Sequence, residues 1–307
     1  MLIKSLVTNQ NMLMSTNNFQ TMLIPTNIQD IIDDGGGAPD KDDGGGGRET
    51  LSITLIPISD MYGMFDASTI QTSDYDNDSK DISNIIDQVT NQPFTMNHPA
   101  RDIDNGSARY IDGGVYVKYG SFQINLSDHF YNLQPGSFTI SAISVHKYKI
   151  YNNDIQHNWG AFMYLSERSA YKATVFGLTK RGNSMYYVIK ANKDINDNPN
   201  YLEEPLVIDR KDICYVEVTY DSNTHIWTRK LSVYSADDGS LISDTIQSNT
   251  VERRIDNQQN VWVVGGYSVH NQFSTYLIYQ SILHKRALTT SELADSVTFL
   301  TNKWKDV

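Results

Sequence analysis

Apolar and polar positions alternate with a period of two through most of the chain after residue 50. Phe138, Ile140 and Ala142 alternate with Thr139 and Ser141, and Cys214–Tyr220 repeats the pattern with Val216, Val218 and Tyr220. In Lys230–Leu241, Leu231 and Val233 share one face before Asp238-Gly239, a dipeptide that favours a tight hairpin turn. Further strands are predicted over Leu51–Ile58, Tyr110–Tyr119, Ala161–Leu165, Ala173–Leu178 and Met185–Ile189. The phase slips at Ala142-Ile143, which predicts either a bulge or a strand covered on both faces.

The closing stretch, Val261–Val297, changes period once. A short apolar run (Val261, Trp262, Val263, Val264) meets Gly265-Gly266, and a second strand is predicted over Tyr276–Leu283. After a basic connection comes a short helix. Thr289 serves as its N-cap and Glu292 as its third residue, forming a capping box, with Leu288 and Leu293 placed to close a hydrophobic staple.

The first 48 residues follow neither period. Residues 1–32 carry short apolar patches that lead into Thr-Asn, two of which match at a spacing of ten: Met12-Leu13-Met14-Ser15-Thr16-Asn17 and Met22-Leu23-Ile24-Pro25-Thr26-Asn27. Such patches cannot build a core alone, so they are expected to add extended segments to a partner. A leader without a partner is the other reading, less in keeping with their Met, Leu and Ile. Residues 33–48 hold seven glycines and five aspartates, the composition of a flexible linker. No Gly-Lys-Ser/Thr follows those glycines, so they are not a phosphate loop. The organisation is therefore an arm (1–32), a linker (33–48) and one β-domain (49–307).

Composition narrows the function. A net charge of −11 excludes a general nucleic-acid binder, which needs clustered Lys and Arg. Nineteen Tyr among 307 residues, with abundant Ile, Val and Thr, favour strands. Cys214 is the single cysteine, so no internal disulfide is possible, and its place in an alternating run predicts a buried structural thiol. No stretch has the length of a membrane-spanning helix, and the broken apolar run at the start is not that of a secretory signal.

Several short motifs together resemble the laminin-G-like, concanavalin A-type sandwich over residues of about 51–304. They are Phe65-Asp66-Ala67-Ser68, Asp112-Gly113-Gly114 ahead of Val115-Tyr116-Val117, Phe138–Ala142, Cys214–Tyr220 with Asp221, and Asp238-Gly239. Ile282, Leu283, Arg286, Ala287, Leu288 and Glu292 stand in the places of that family's closing strand and helix. The resemblance implies an all-β, antiparallel jelly-roll β-sandwich with an extended N-terminal arm and one short C-terminal helix. It also brings lectin and glucanase activities into view.

Glycanases on such a fold set paired carboxylates on one strand face, as in Glu-x-Asp-x-Glu. That triplet does not occur. Glu203 and Glu204 are adjacent, in what reads as a Pro-rich loop, and Glu217 stands alone in its strand. The seven histidines (98, 129, 146, 157, 225, 270, 284) lack zinc-ligand spacing and read as surface or loop residues, with His98 and His157 candidates to border a pocket. No cofactor is expected and no metal site is assigned; calcium is the one candidate considered. Asn192, Asp194, Asn196 and Glu203, with Asn198 and Asn200, follow the spacing of an oxygen-rich loop without its central glycine, and Asp74, Asp76 and Asp78 open a second, poorer version. Trp159, Tyr164, Tyr171, Tyr186, Tyr187, Trp227 and Tyr267 are candidates to stack on sugars, though half of strand aromatics face a core.

The sequence is thus read as a non-enzymatic structural protein of a bacteriophage virion, made in the host cytoplasm and carried on the particle's exterior as a fibre, decoration or tail-associated protein. Residues 1–32 dock to other virion proteins, and the sandwich is displayed, with host-surface glycans as candidate ligands and a homo-oligomer expected. Neither nucleic-acid binding nor membrane insertion is expected. A polysaccharide-degrading enzyme on the same sandwich, or a cellular carbohydrate-binding adhesin, is the alternative.

Overall fold

The computed structural model describes residues 56–76, 82, 85–97, 107–118, 121–125, 137–148, 159–165, 174–181, 184–191, 200–250, 261–265 and 276–307. The expected arm and linker lie outside these residues.

The described strands are, in chain order, β1 (Met61–Asp66), β2 (Ile85–Ile86), β3 (Pro93–Asn97), β4 (Ser107–Ile111), β5 (Gly114–Lys118), β6 (Ser121–Asn125), β7 (Phe138–Tyr148) and β8 (Trp159–Leu165). They continue with β9 (Thr174–Arg181), β10 (Ser184–Ala191), β11 (Asn200–Pro205), β12 (Lys211–Asp221), β13 (Ile226–Ser235), β14 (Leu241–Thr250), β15 (Val261–Gly265) and β16 (Tyr276–His284). One helix, α1 (Thr290–Trp304), follows. Two eight-stranded sheets result. The first runs β14-β13-β12-β7-β16-β5-β4, with β1 also on β16, and the second runs β11-β10-β9-β8-β15-β6-β3-β2.

Packing follows from strand parity. On β12, Val216, Val218 and Tyr220 face the second sheet, opposite Ala142, Ile140 and Phe138 of β7 and Leu231, Arg229 and Trp227 of β13. Phe65 of β1 meets Phe94 of β3 and Phe122 of β6, and Phe94 meets Trp262 of β15, which closes the sandwich with ring centroids 5.3–6.3 Å apart. The two sheets approach so closely at Gly63 that a Cβ there would lie 2.5 Å from the Trp262 ring. Among the described residues the fold is an all-antiparallel β-sandwich with a C-terminal helix, as the resemblance implies.

Local predictions resolve in detail. The phase slip at Ala142-Ile143 marks a strand covered on both faces, since β7 pairs with β12 without a bulge and Ala142, Ile143, Ser144 and Val145 are all buried. The irregularity falls instead on β16, between Ile278 and Gln280. Asp112-Gly113 forms the β4–β5 turn with both residues at positive φ (50° and 72°), the geometry of a type I′ hairpin. Gly239 turns β13 into β14 at φ 75°. Leu51–Ile58 does not end as a strand: Ile58 begins a 3-10 turn, Ile58–Asp60.

Helix α1 lies on the outer face of the first sheet and is tied down at both ends. At its start the capping box is present in full, and Arg286 holds Glu292 with two hydrogen bonds (2.6 and 2.7 Å) while reaching Asp60 at 2.9 Å. At its end Trp304 packs on Tyr279 and donates to Gln280, and Lys303 reaches Asp66 at 2.5 Å. The Lys211 ammonium donates to the Trp304 and Val307 carbonyls. The helix is fifteen residues long, longer than the capping signal alone indicates, because Leu293, Val297, Leu300 and Trp304 give it a buried stripe along its length.

Candidate functional site

Beside α1, over β12, β13 and β14, the outer face of the first sheet is left open as a cleft of about 560 Å³. Parity sets its floor. Tyr215 and Glu217 lie two apart on β12, Lys230 stands opposite Glu217 on β13, and Asp244 of β14 pairs with Ser232. Tyr234 and the Asp238-Gly239 turn close one end. The helix supplies a mixed wall, apolar at Leu293, Ala294 and Val297 and polar at Thr290, Thr298, Thr301 and Asn302.

The floor groups are fixed by one another. Tyr215 donates to Glu217 at 2.9 Å and accepts the Leu288 amide at 3.1 Å. Ser232 donates to Asp244 at 2.6 Å, and the Lys230 ammonium stands 3.6 Å from the same carboxylate. Burial pushes the Tyr215 and Tyr234 hydroxyls up, so both stay protonated as donors. The Ser240 amide and hydroxyl hold the Asp238 carboxyl below its usual range, so it stays ionised. An apolar patch set in a polar wall and facing fixed donors and acceptors suits a ligand that is itself two-sided, with C–H faces and hydroxyls.

A second polar group centres on a carboxylate buried between the sheets. Asp212, fully buried on β12, accepts from Tyr187 of β10 at 2.5 Å and from Arg210 at 2.6 and 3.0 Å. Cys214 lies 3.7 Å from the buried His146 ring. Burial raises the thiol pKa well above its usual value and lowers the imidazole to about 3, so both are neutral, the opposite of a thiolate–imidazolium pair. Cys214 is the buried structural thiol that its alternating run predicts.

The sequence candidates scatter. Asn192, Asp194 and Asn196 lie outside the described residues. Glu203 belongs to strand β11, paired with Val188, and not to a loop, because β10 offers it and Glu204 a complete ladder. Asp78 lies outside the described residues, while Asp74 accepts the Gln71 amide to close its own turn. Among the described residues no cluster of three His, Cys, Asp or Glu is placed to hold a metal. His98, His129, His157 and His270 lie outside the described residues; His146 and His284 are fully buried and are not the surface residues expected. Of the aromatic candidates, Tyr187 and Trp227 are core residues with no exposed ring, and Tyr186 is half-buried. Tyr171 and Tyr267 lie outside the described residues, as do the side chains of Trp159 and Tyr164.

The structure assembles a different set: Tyr215, Glu217, Lys230, Tyr234 and Asp244. Their signal was present in parity, since Tyr215 and Glu217 share the face opposite Val216 and Val218. What the alternation lacks is any mark that α1 leaves this part of the face open.

No family model and no curated protein matches the chain. Solved structures similar to it include the binding domain of botulinum neurotoxin serotype G (14% identity, 79% of this chain and 51% of that one, TM-score 0.39). A GH54 α-L-arabinofuranosidase matches at 14% identity over 72% of this chain and 50% of that one, TM-score 0.48. The carbohydrate-binding module CBM40 of a Ruminococcus gnavus sialidase, bound to α2,3 sialyllactose, matches at 13% identity over 66% of this chain and 97% of that one, TM-score 0.38. The chain spans about half the length of the first two. At these identities no residue role passes from them to this chain.

Proposed function

We propose that the cleft beside α1 binds a glycan without cleaving it, and that the chain is a displayed module on the exterior of a bacteriophage particle. The observation that carries the binding reading is the pairing of a mixed helical wall, apolar at Leu293, Ala294 and Val297, with a floor of oriented donors and acceptors. Docking through residues 1–32 rests on their repeated apolar Thr-Asn segments and on the glycine-rich tether that follows. The edge strand β14 supports a homo-oligomer: its outer side pairs with no other strand among the described residues, and Leu241 and Ile246 are more than half exposed on it.

A polysaccharide hydrolase is the second reading, because Glu217 and Asp244 do share the cleft floor. Both carboxylates are already engaged, Glu217 by Tyr215 and Asp244 by Ser232 and Lys230. Lys230 lies on the strand between theirs. That arrangement favours holding a sugar over protonating a leaving group.

The test is a glycan screen of the full chain beside Ala294→Trp, an exposed helical position whose larger side chain fills the cleft without entering the core. Binding that the substitution abolishes is the expected result. Binding indifferent to it removes the cleft, and turnover of any oligosaccharide removes the non-enzymatic reading.

A further inference from the structure

The cleft is charged unevenly. Glu217, Asp238 and Asp244 bring three carboxylates to its lining and Lys230 one ammonium, a net of −2, while the helical wall contributes no charge. Lys230 is already neutralised, at 3.6 Å from Asp244 and directly across from Glu217 in register. The remaining field on a ligand is therefore that of unbalanced carboxylates. The Thr301 side chain, over nine-tenths buried, closes the wall beside Gly239 without adding charge.

Resting on the glycan reading above, we infer that the cleft takes saccharides bearing an amine ahead of neutral ones and rejects those bearing carboxylates. An ammonium on a sugar meets Glu217 or Asp238, the carboxylates that Lys230 does not pair. A uronic or sialic carboxylate meets the same groups as a like charge. A unit charge at contact distance changes affinity on the order of fivefold even at the dielectric of water. The ranking is electrostatic and is screened by salt, whereas the uncharged helical wall acts on all three classes alike.

Titration calorimetry of the full chain with trimers of glucosamine, N-acetylglucosamine and galacturonic acid decides it. At low salt the amine trimer is expected to bind about fivefold tighter than the neutral one and the acidic trimer about fivefold weaker. The spread collapses near 1 M salt, where the screening length is about 3 Å. In Glu217→Gln/Asp244→Asn the spread narrows at low salt as well, and the exposed single change Asp238→Asn narrows it in part. An acidic trimer that binds as tightly as the neutral one, or a ranking that survives the charge removals, overturns the inference and leaves the glycan reading standing. If no trimer binds, or if Ala294→Trp leaves binding unchanged, the glycan reading itself falls and the inference with it.

Discussion

The Leu288 amide donates to the Tyr215 hydroxyl at 3.1 Å, so one strand residue receives the chain just before α1 begins. The same hydroxyl donates to Glu217, which makes Tyr215 the hinge point between the core sheet, the helix start and the cleft floor. In Tyr215→Phe the ring still packs, but the buried Leu288 amide loses its acceptor. The expected loss is about 1–3 kcal/mol, the cost of a buried donor left unmet. It is read as a lower urea midpoint with an unchanged slope. A midpoint equal to the parent's shows that the amide finds another acceptor.

Gly63 and Trp262 meet across the sandwich at a distance no side chain fits. A Cβ on residue 63 falls 2.5 and 2.8 Å from two Trp262 ring carbons and 3.2 Å from the buried Asp87 carboxylate. Asp87 cannot yield, because it accepts the Met64, Val89 and Thr90 amides. Gly63→Ala is therefore expected to destabilise by about 1–3 kcal/mol through overpacking. Pairing it with Trp262→Phe, which removes the offending ring, recovers part of that loss. A double variant no more stable than Gly63→Ala alone shows that the strain lies elsewhere.

Stability is expected to fall with acid in two steps. His146 and His284 are buried and neutral, with pKa values lowered by desolvation to about 3 and about 4 from an ordinary 6.5. Between those values the unfolded chain binds protons that the folded one refuses, so stability drops as pH falls below 6.5. Each histidine contributes a slope of up to about 1.4 kcal/mol per pH unit in its window. Glu292 acts lower down. Its hydrogen bonds from Arg286 hold its pKa at about 2 against an ordinary 4.5, so the stability it contributes is whole above pH 4.5 and lost as pH falls to 2. Melting curves of His284→Gln are expected to flatten the upper limb and those of Glu292→Gln the lower one. A wild-type melting temperature constant from pH 7 to 5 contradicts the histidine limb.

Fold and site were not equally legible in sequence. Strands with one apolar face, such as Phe138–Ala142 and Cys214–Tyr220, announce themselves, and Thr289 with Glu292 marks the helix start to the residue. Strand β14 escapes detection because its inward residues Thr245, Gln247 and Asn249 are polar. They face the buried Arg229, which donates to Gln247 and Asn249, and Glu204 of the second sheet. The cleft escapes for a different reason. Its residues come from three strands, a turn and a helix, and only register brings Glu217 level with Lys230. Histidines offer no periodic clue at all, since His146 and His284 occupy strand positions where solvation cost, not pattern, fixes their state.

Deleting residues 1–48 separates display from binding. The described core begins at Ile56, and β1 starts at Met61, so the truncation removes none of the described residues. Its melting temperature and its glycan binding are expected to match those of the full chain. Particle incorporation is expected to vanish, because the apolar Thr-Asn segments that the proposal assigns to docking are gone. On the same proposal the glycine-rich stretch 33–48 has a different role. A glycine-rich coil of sixteen residues spans about 20–24 Å, a reach that on this proposal lets neighbouring sandwiches take separate sugars on one surface. Deleting only residues 33–48 should therefore preserve incorporation while weakening attachment to a multivalent glycan surface, with single-site affinity unchanged. Truncated chains that still enter particles at the parental ratio remove residues 1–32 from the docking role. Loss of glycan binding on truncation instead places part of the site in the arm, and the cleft alone is then not the receptor.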